Sequence, residues 1–133
     1  MAKKASPRTS ADEKKHIAVV EEVADNIYSI KFILQSLGYQ VKSIAAQADF
    51  LEALMAFAPE LIIVDMMIPD GAGFTVIRRI HESSLSKTPL LAITAGAMQG
   101  EEDDVYEAGA RDTLSKPYTV TELQKKLGKW LKS

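Results

Sequence analysis

Five polar side chains stand where apolar runs stop. Glu21 and Glu22 follow His16–Val20, Asp65 follows Leu61–Val64, Thr94 follows Leu90–Ile93, and Lys116 lies just past Ala110–Leu114. Three carboxylates brought within a few ångströms repel, so some stay protonated or a cation joins them. Carboxylate oxygens with room for water suit Mg2+, which takes octahedral oxygen ligands at about 2.0–2.1 Å. Lys116 offers a point charge to an anion, and the Thr94 hydroxyl can donate to one of its oxygens. A metal site, an anion site and a carboxylate able to act as nucleophile together describe phosphoryl transfer to Asp65.

For these residues to meet, the runs that carry them must be parallel neighbours. The chain reads that way from His16 onward. Helical spacing of Ile27, Ile30, Leu34 and Leu37, with Asp25 or Asn26 as cap and Gly38 as stop, predicts a first helix. Tyr39–Ala45 reads as a second strand, and Phe50, Leu51, Leu54, Met55 and Phe57 as a helix ended by Pro59. Leu61–Val64 is apolar on both faces, as a central parallel strand must be. A turn at Pro69-Asp70-Gly71 precedes a helix on Phe74, Ile77 and Ile80. Strand Leu90–Ile93, an acidic helix over Glu101–Ala108, a break at Gly109 and a strand from Ala110 to Leu114 follow. The spacing of Thr119 and Glu122 is that of a capping box, opening a helix on Leu123, Leu127, Trp130 and Leu131. Alternating strands and helices with right-handed crossovers predict an α/β protein, a five-stranded parallel sheet between two helical layers. Its strands end on one edge, where open α/β sheets bind ligands.

Composition narrows the classes further. The 133 residues suit one domain, with 47% hydrophobic and 26% charged residues in the balance of a soluble globular protein. Without cysteine there is no disulfide framework, thiolate metal site or cysteine nucleophile. No apolar run approaches the length of a membrane span, and no secretory signal is visible, so a cytoplasmic protein with no membrane role is expected. Residues 1–15 carry five basic side chains against two acidic ones, a net +3, leaving −5 for the rest of a chain whose total is −2. The acidic body argues against direct nucleic-acid binding, which needs a basic face. Residues 1–15 therefore read as a disordered leader and 16–133 as the domain.

The stretches IAVVEEVADN (17–26), LIIVDMMIPDGAGF (61–74), LAITA (91–95) and LSKP (114–117) resemble the receiver domain of two-component response regulators, over nearly all of residues 16–132. That resemblance implies a flavodoxin-like doubly wound (βα)5 sandwich with strand order 2-1-3-4-5. It implies that Asp65 is the phosphoacceptor, with Pro69 and Gly73 in the loop that follows. Glu21 and Glu22 match the acidic pair that holds Mg2+, and the backbone carbonyl of Met67 completes the protein's share of that shell. Thr94 matches the switch hydroxyl, and Lys116, followed by a cis Pro117, the phosphate-binding lysine. The implied partners are a sensor histidine kinase or a histidine phosphotransfer protein, and a downstream protein that the sequence does not name. The implied chemistry is the domain's own phosphorylation and dephosphorylation rather than that of an enzyme acting on other substrates.

Two positions depart from the family pattern. Glu22 stands where an aspartate is usual, one methylene longer. Thr113 stands three before Lys116, where an aromatic switch residue is usual, so coupling of Thr94 to a swinging ring cannot operate. These departures favour the alternative reading, a pseudo-receiver of the same fold that acts without phosphorylation; intact Asp65, Thr94 and Lys116 favour the live site. A flavodoxin-like electron carrier is set aside on charge, because its first loop must donate to a phosphate and this one offers two glutamates. His16 and His81 have no partner at metal spacing. Glu101–Asp104 suits a helix start, and Trp130 reads as a packing residue.

Overall fold

A strand that is apolar on both sides needs a layer against each side, and the computed structural model of the chain supplies both. It describes residues 15–22, 28–68, 71–95 and 99–131. In chain order these form β1 (His16–Glu21), α1 (Tyr28–Ser36), β2 (Gln40–Ala45), α2 (Phe50–Phe57), β3 (Leu61–Asp65), α3 (Ala72–His81), β4 (Leu90–Thr94), α4 (Gln99–Ala108), β5 (Asp112–Ser115) and α5 (Val120–Trp130). All strand pairs are parallel, in the order β2-β1-β3-β4-β5.

The period of two along each strand divides the core between two layers. Ala18, Val20, Ile62 and Val64 pack with Phe50, Leu54, Ile77, Ile80 and Val105, the layer of α2, α3 and α4. Ile17, Val19, Leu61 and Ile63 point the other way and pack with Ile30, Leu34, Leu123 and Leu127 of α1 and α5. Leu61, Ile62, Ile63 and Val64 are all completely buried. Full burial of side chains this size contributes roughly 1.5–3 kcal/mol each, which makes β3 the rigid centre that aims Asp65.

Local signals set the connections. Thr119 accepts from the Glu122 backbone N–H at 3.0 Å while the Glu122 carboxylate accepts from the Thr119 N–H at 2.8 Å, the expected capping box. Gly109 has φ +131°, and a Cβ there would also stand 2.8 Å from His81 Cβ, so any side chain is excluded on both counts.

Some boundaries differ from the sequence reading. The fifth strand begins at Asp112, not Ala110, because the Gly109 and Ala110 N–H groups both turn back to the Val105 carbonyl and close α4. The fourth helix starts at Gln99, two residues ahead of Glu101, with Glu101 and Glu102 in its first turn. The second helix ends at Phe57, ahead of Pro59 as expected, with Ala58 making the left-handed exit at φ 55°. The second strand opens at Gln40, one residue after Tyr39. The expected caps Asp25 and Asn26, the loop residues Pro69 and Asp70, and residues 1–14 of the expected leader lie outside the described residues.

Candidate functional site

Register brings the candidate residues to one edge. Asp65 ends β3 opposite Ile93, Thr94 ends β4 opposite Ser115, and Glu21 ends β1 opposite Ala45. Lys116 follows β5 directly, its N–H donating to the Thr94 carbonyl at 3.0 Å, and its bond to Pro117 is cis as expected.

Asp65 is the meeting point. Its Oδ1 accepts from the Met67 backbone N–H at 2.9 Å, which fixes the carboxylate plane. Its Oδ2 faces the Lys116 ammonium at 3.5 Å, and about a quarter of the side chain is open to solvent. A pair this exposed contributes at most about 1 kcal/mol to stability, so its interest is chemical. Glu21, on the neighbouring strand, is buried and accepts from the Ser43 hydroxyl at 2.8 Å. Burial raises its carboxyl above the usual range; the Ser43 bond opposes this, and the negative charge of Asp65 adds to it. Folding therefore costs Glu21 its easy ionisation, and stability contributed there falls as pH climbs from the usual glutamate value toward the raised one.

Glu21 and Asp65 are thus two acids that feel one another. Glu22, the next residue, is exposed. Among the described residues no three acidic or histidine side chains gather as a metal cluster. The donor set nevertheless fits a hard, oxygen-seeking cation: the carboxylates of Glu21, buried, and Asp65, about a quarter open to solvent, repel one another. Such a cation would offset the lesser part of the rise at Glu21, the part that comes from Asp65; burial is the larger part.

Thr94 is fully buried, and its hydroxyl lies 3.3 Å from that of Ser115. Sequence reasoning missed Ser115, because the pairing exists only through the β4–β5 register. It also missed Ser43 and the Met67 N–H, which support the two acids. Tyr118, two residues past Lys116, was missed as well; burial and then the charge of Asp65 push its phenol up. Beside it an open groove of about 590 Å³ runs along Ile33, Ala95, Lys116, Pro117 and Tyr118.

An acid at the end of a central parallel strand, faced by the lysine that follows β5 and neighboured by a second acid from β1, stands at the carboxyl edge of a doubly wound α/β domain. The family model of the response regulator receiver domain matches residues 17–128, and the chain belongs to that family, which serves two-component signalling. It is 36% identical over 91 residues to the transcriptional regulatory protein GltR of Pseudomonas aeruginosa, a match covering 68% of this chain and 38% of GltR. It is 35% identical over 123 residues to the hybrid signal transduction protein dokA of Dictyostelium discoideum, covering 90% of this chain and 7% of dokA. The chain therefore spans well under half the length of these relatives. Among solved structures, the receiver domain of the sensor histidine kinase PA1611 from Pseudomonas aeruginosa, with a magnesium ion coordinated in its active site cleft, superposes with a TM-score of 0.72 at 31% identity, covering 90% of this chain and 99% of that one. Among the described residues, no helix is long and apolar enough to cross a membrane.

Proposed function

We propose that this chain is a phosphorylatable receiver: it takes a phosphoryl group from a phosphohistidine onto Asp65 and signals by altered protein docking. The observation that carries this is the placement of Asp65, with one oxygen held by the Met67 N–H and the other 3.5 Å from the Lys116 ammonium. In the transfer the phosphorus–nitrogen bond of the donor breaks, a phosphorus–oxygen bond to the Asp65 carboxylate forms, and the imidazole leaves with its electron pair. Lys116 and the Thr94 hydroxyl would hold the equatorial oxygens as their charge redistributes. Magnesium held by Glu21, Glu22, Asp65 and the Met67 carbonyl would offset the charge that the phosphoryl oxygens bring to this acidic edge, with Glu22 acting directly or through water.

The donor is read as a sensor histidine kinase or a histidine phosphotransfer protein, whose ring would enter by the groove beside Lys116. The downstream target is a protein, with no direct nucleic-acid or membrane contact, in the cytoplasm. The domain is read as 16–133, with residues 1–15 as a leader. The only turnover expected of it is its own phosphorylation and dephosphorylation.

Incubation with acetyl phosphate and magnesium, read by intact mass, tests the assignment. The parent should gain one phosphoryl group and Asp65→Asn none. Label retained in that variant would refute Asp65 as the acceptor, and a parent that gains nothing would leave the pseudo-receiver.

A further inference from the structure

Thr113 and Ser115 are two residues apart on β5, so their side chains leave the same face of the strand, the one covered by α4. Ser115 lies opposite Thr94, and Thr113 lies opposite Ala92, whose single methyl leaves room beside it. The Thr113 hydroxyl donates to Glu102 Oε2 at 3.3 Å, from a position that is itself buried. The residue before Glu102, Glu101, accepts from the Ala95 backbone N–H at 3.4 Å. Both carboxylates come from the first turn of α4. Two polar contacts therefore tie the first turn of α4 to its surroundings, one to Ala95, the residue after Thr94, and one to Thr113 on β5. With Thr94···Ser115 at 3.3 Å, these side-chain contacts are longer than the usual ranges of about 2.5–3.0 Å for O–H···O and 2.7–3.2 Å for N–H···O, so each is weak and readily exchanged.

Resting on the reading of Asp65 as phosphoacceptor, we propose that the Thr113–Glu102 contact is a polar latch, holding the first turn of α4 against β5 in the unphosphorylated protein and released by phosphorylation. The Thr94 hydroxyl has one proton to donate, and a charged phosphoryl oxygen is a better acceptor than the Ser115 hydroxyl. As Thr94 turns toward it, Ala95 moves with the chain and its N–H leaves Glu101. Glu101 and Glu102 share one helical turn, so the loss of one anchor loosens the other. Glu102 is only partly buried, and once released its carboxylate is taken up by water. The two arrangements thus differ little in energy, as a switch requires. Thr113 and Glu102 are positioning residues here; neither touches the phosphoryl group.

Hydrogen exchange across α4 and affinity for beryllofluoride with magnesium, both on the full chain, test this. Thr113→Val keeps the shape and loses the hydroxyl; Glu102→Ala loses the acceptor; Thr113→Ser keeps the bond. Without ligand, the first two variants should each speed exchange in α4 about threefold to tenfold, and the double variant no more than either alone. Thr113→Ser should match the parent. The same two variants should bind the mimic more tightly by a similar factor, because the latch no longer opposes the bound state. Unchanged exchange, additive single effects, or faster exchange without tighter mimic binding would each overturn the proposal. A parent that takes up no mimic would overturn the phosphoacceptor reading and the release step with it, while non-additive exchange would still show the latch as a static contact.

Discussion

At the amino-terminal edge of the sheet, buried Asp112 accepts from Lys126 Nζ at 2.7 Å, from Trp130 Nε1 at 2.8 Å and from the Thr113 N–H at 2.8 Å. Glu60 closes the same edge against the His16 N–H at 3.0 Å and Lys15 at 3.2 Å. At the carboxyl edge, Lys116 stands 3.5 Å from Asp65, Thr94 3.3 Å from Ser115, and the Ala95 N–H 3.4 Å from Glu101. Apart from the short bonds from Ser43 to Glu21 and from the Met67 N–H to Asp65, similar groups are clamped at one end of the strands and loosely held at the other. Both ends of β5 belong to one four-residue strand, so the difference lies in the partners rather than in the sheet. Lys126, Lys129 and Trp130 converge on Asp112 from one helix face, whereas at the carboxyl edge, among the described residues, Glu21, Glu22 and Asp65 outnumber Lys116 and the more distant Lys31. A receptive site needs that imbalance, because groups fully satisfied by one another have nothing left for a ligand.

The largest expected effect lies on the clamped edge. Asp112→Ala should cost about 3 kcal/mol in urea unfolding, since it leaves two N–H donors and an ammonium without their buried acceptor. Burial resists ionisation of Asp112, yet the bonds from Lys126, Trp130 and the Thr113 N–H outweigh it and hold the carboxyl below the usual range. Its contribution is therefore complete above the ordinary aspartate value and is lost as pH falls through the depressed one. The gap between parent and variant should close over that acid range; a gap that stays constant would mean that packing, not charge, holds this edge. Mimic affinity should be unchanged in the variant at neutral pH, or the two edges are not independent.

Lys116→Ala is the mirror image. Its stability should stay within about 0.5 kcal/mol of the parent, because the ion pair is partly open to water. Beryllofluoride affinity, measured by titration calorimetry, should fall at least about tenfold, the value of a charged hydrogen bond to an anion. Equal losses in stability and affinity would erase the distinction between the edges.

How much of this was legible follows the same divide. Two-faced burial of Leu61–Val64, the helical spacing on α3 and the capping box at Thr119 are local patterns, and the structure bears them out. Asp65, Thr94 and Lys116 were legible because each is a polar residue that stops an apolar run or closely follows one. Ser115 and Ser43 were not, because a serine beside a strand end gains meaning only from the strand paired with it. Asp112 was hidden for a related reason. Its side-chain partners lie 14 to 18 residues onward; Trp130 read as a packing residue, and Lys126 and Lys129 gain meaning only once α5 is laid on β5. The start of β5 was misplaced because Ala110 is apolar enough for a strand, while its N–H is spent on closing α4.

The smallest predicted effect concerns Glu22, an exposed acid at the loose edge and one methylene longer than the family's usual residue. Glu21 is already engaged by Ser43 and Asp65 by Lys116 and Met67, so a cation arriving here meets acids whose charge is partly spent. Glu22 can add an unspent charge, and its exposure lets it do so through water. Across one water layer at the surface, one charge acting on a divalent ion is worth about 1 kcal/mol. Glu22→Gln should therefore raise the magnesium concentration for half-maximal acetyl phosphate labelling about fivefold, with no change in urea stability. Glu22→Asp should leave that midpoint unchanged or lower it, since a shorter arm holds the charge nearer the other acids. If the Gln variant titrates like the parent, Glu22 is a solvated bystander, and the charge that makes the carboxyl edge receptive resides in Glu21 and Asp65 alone.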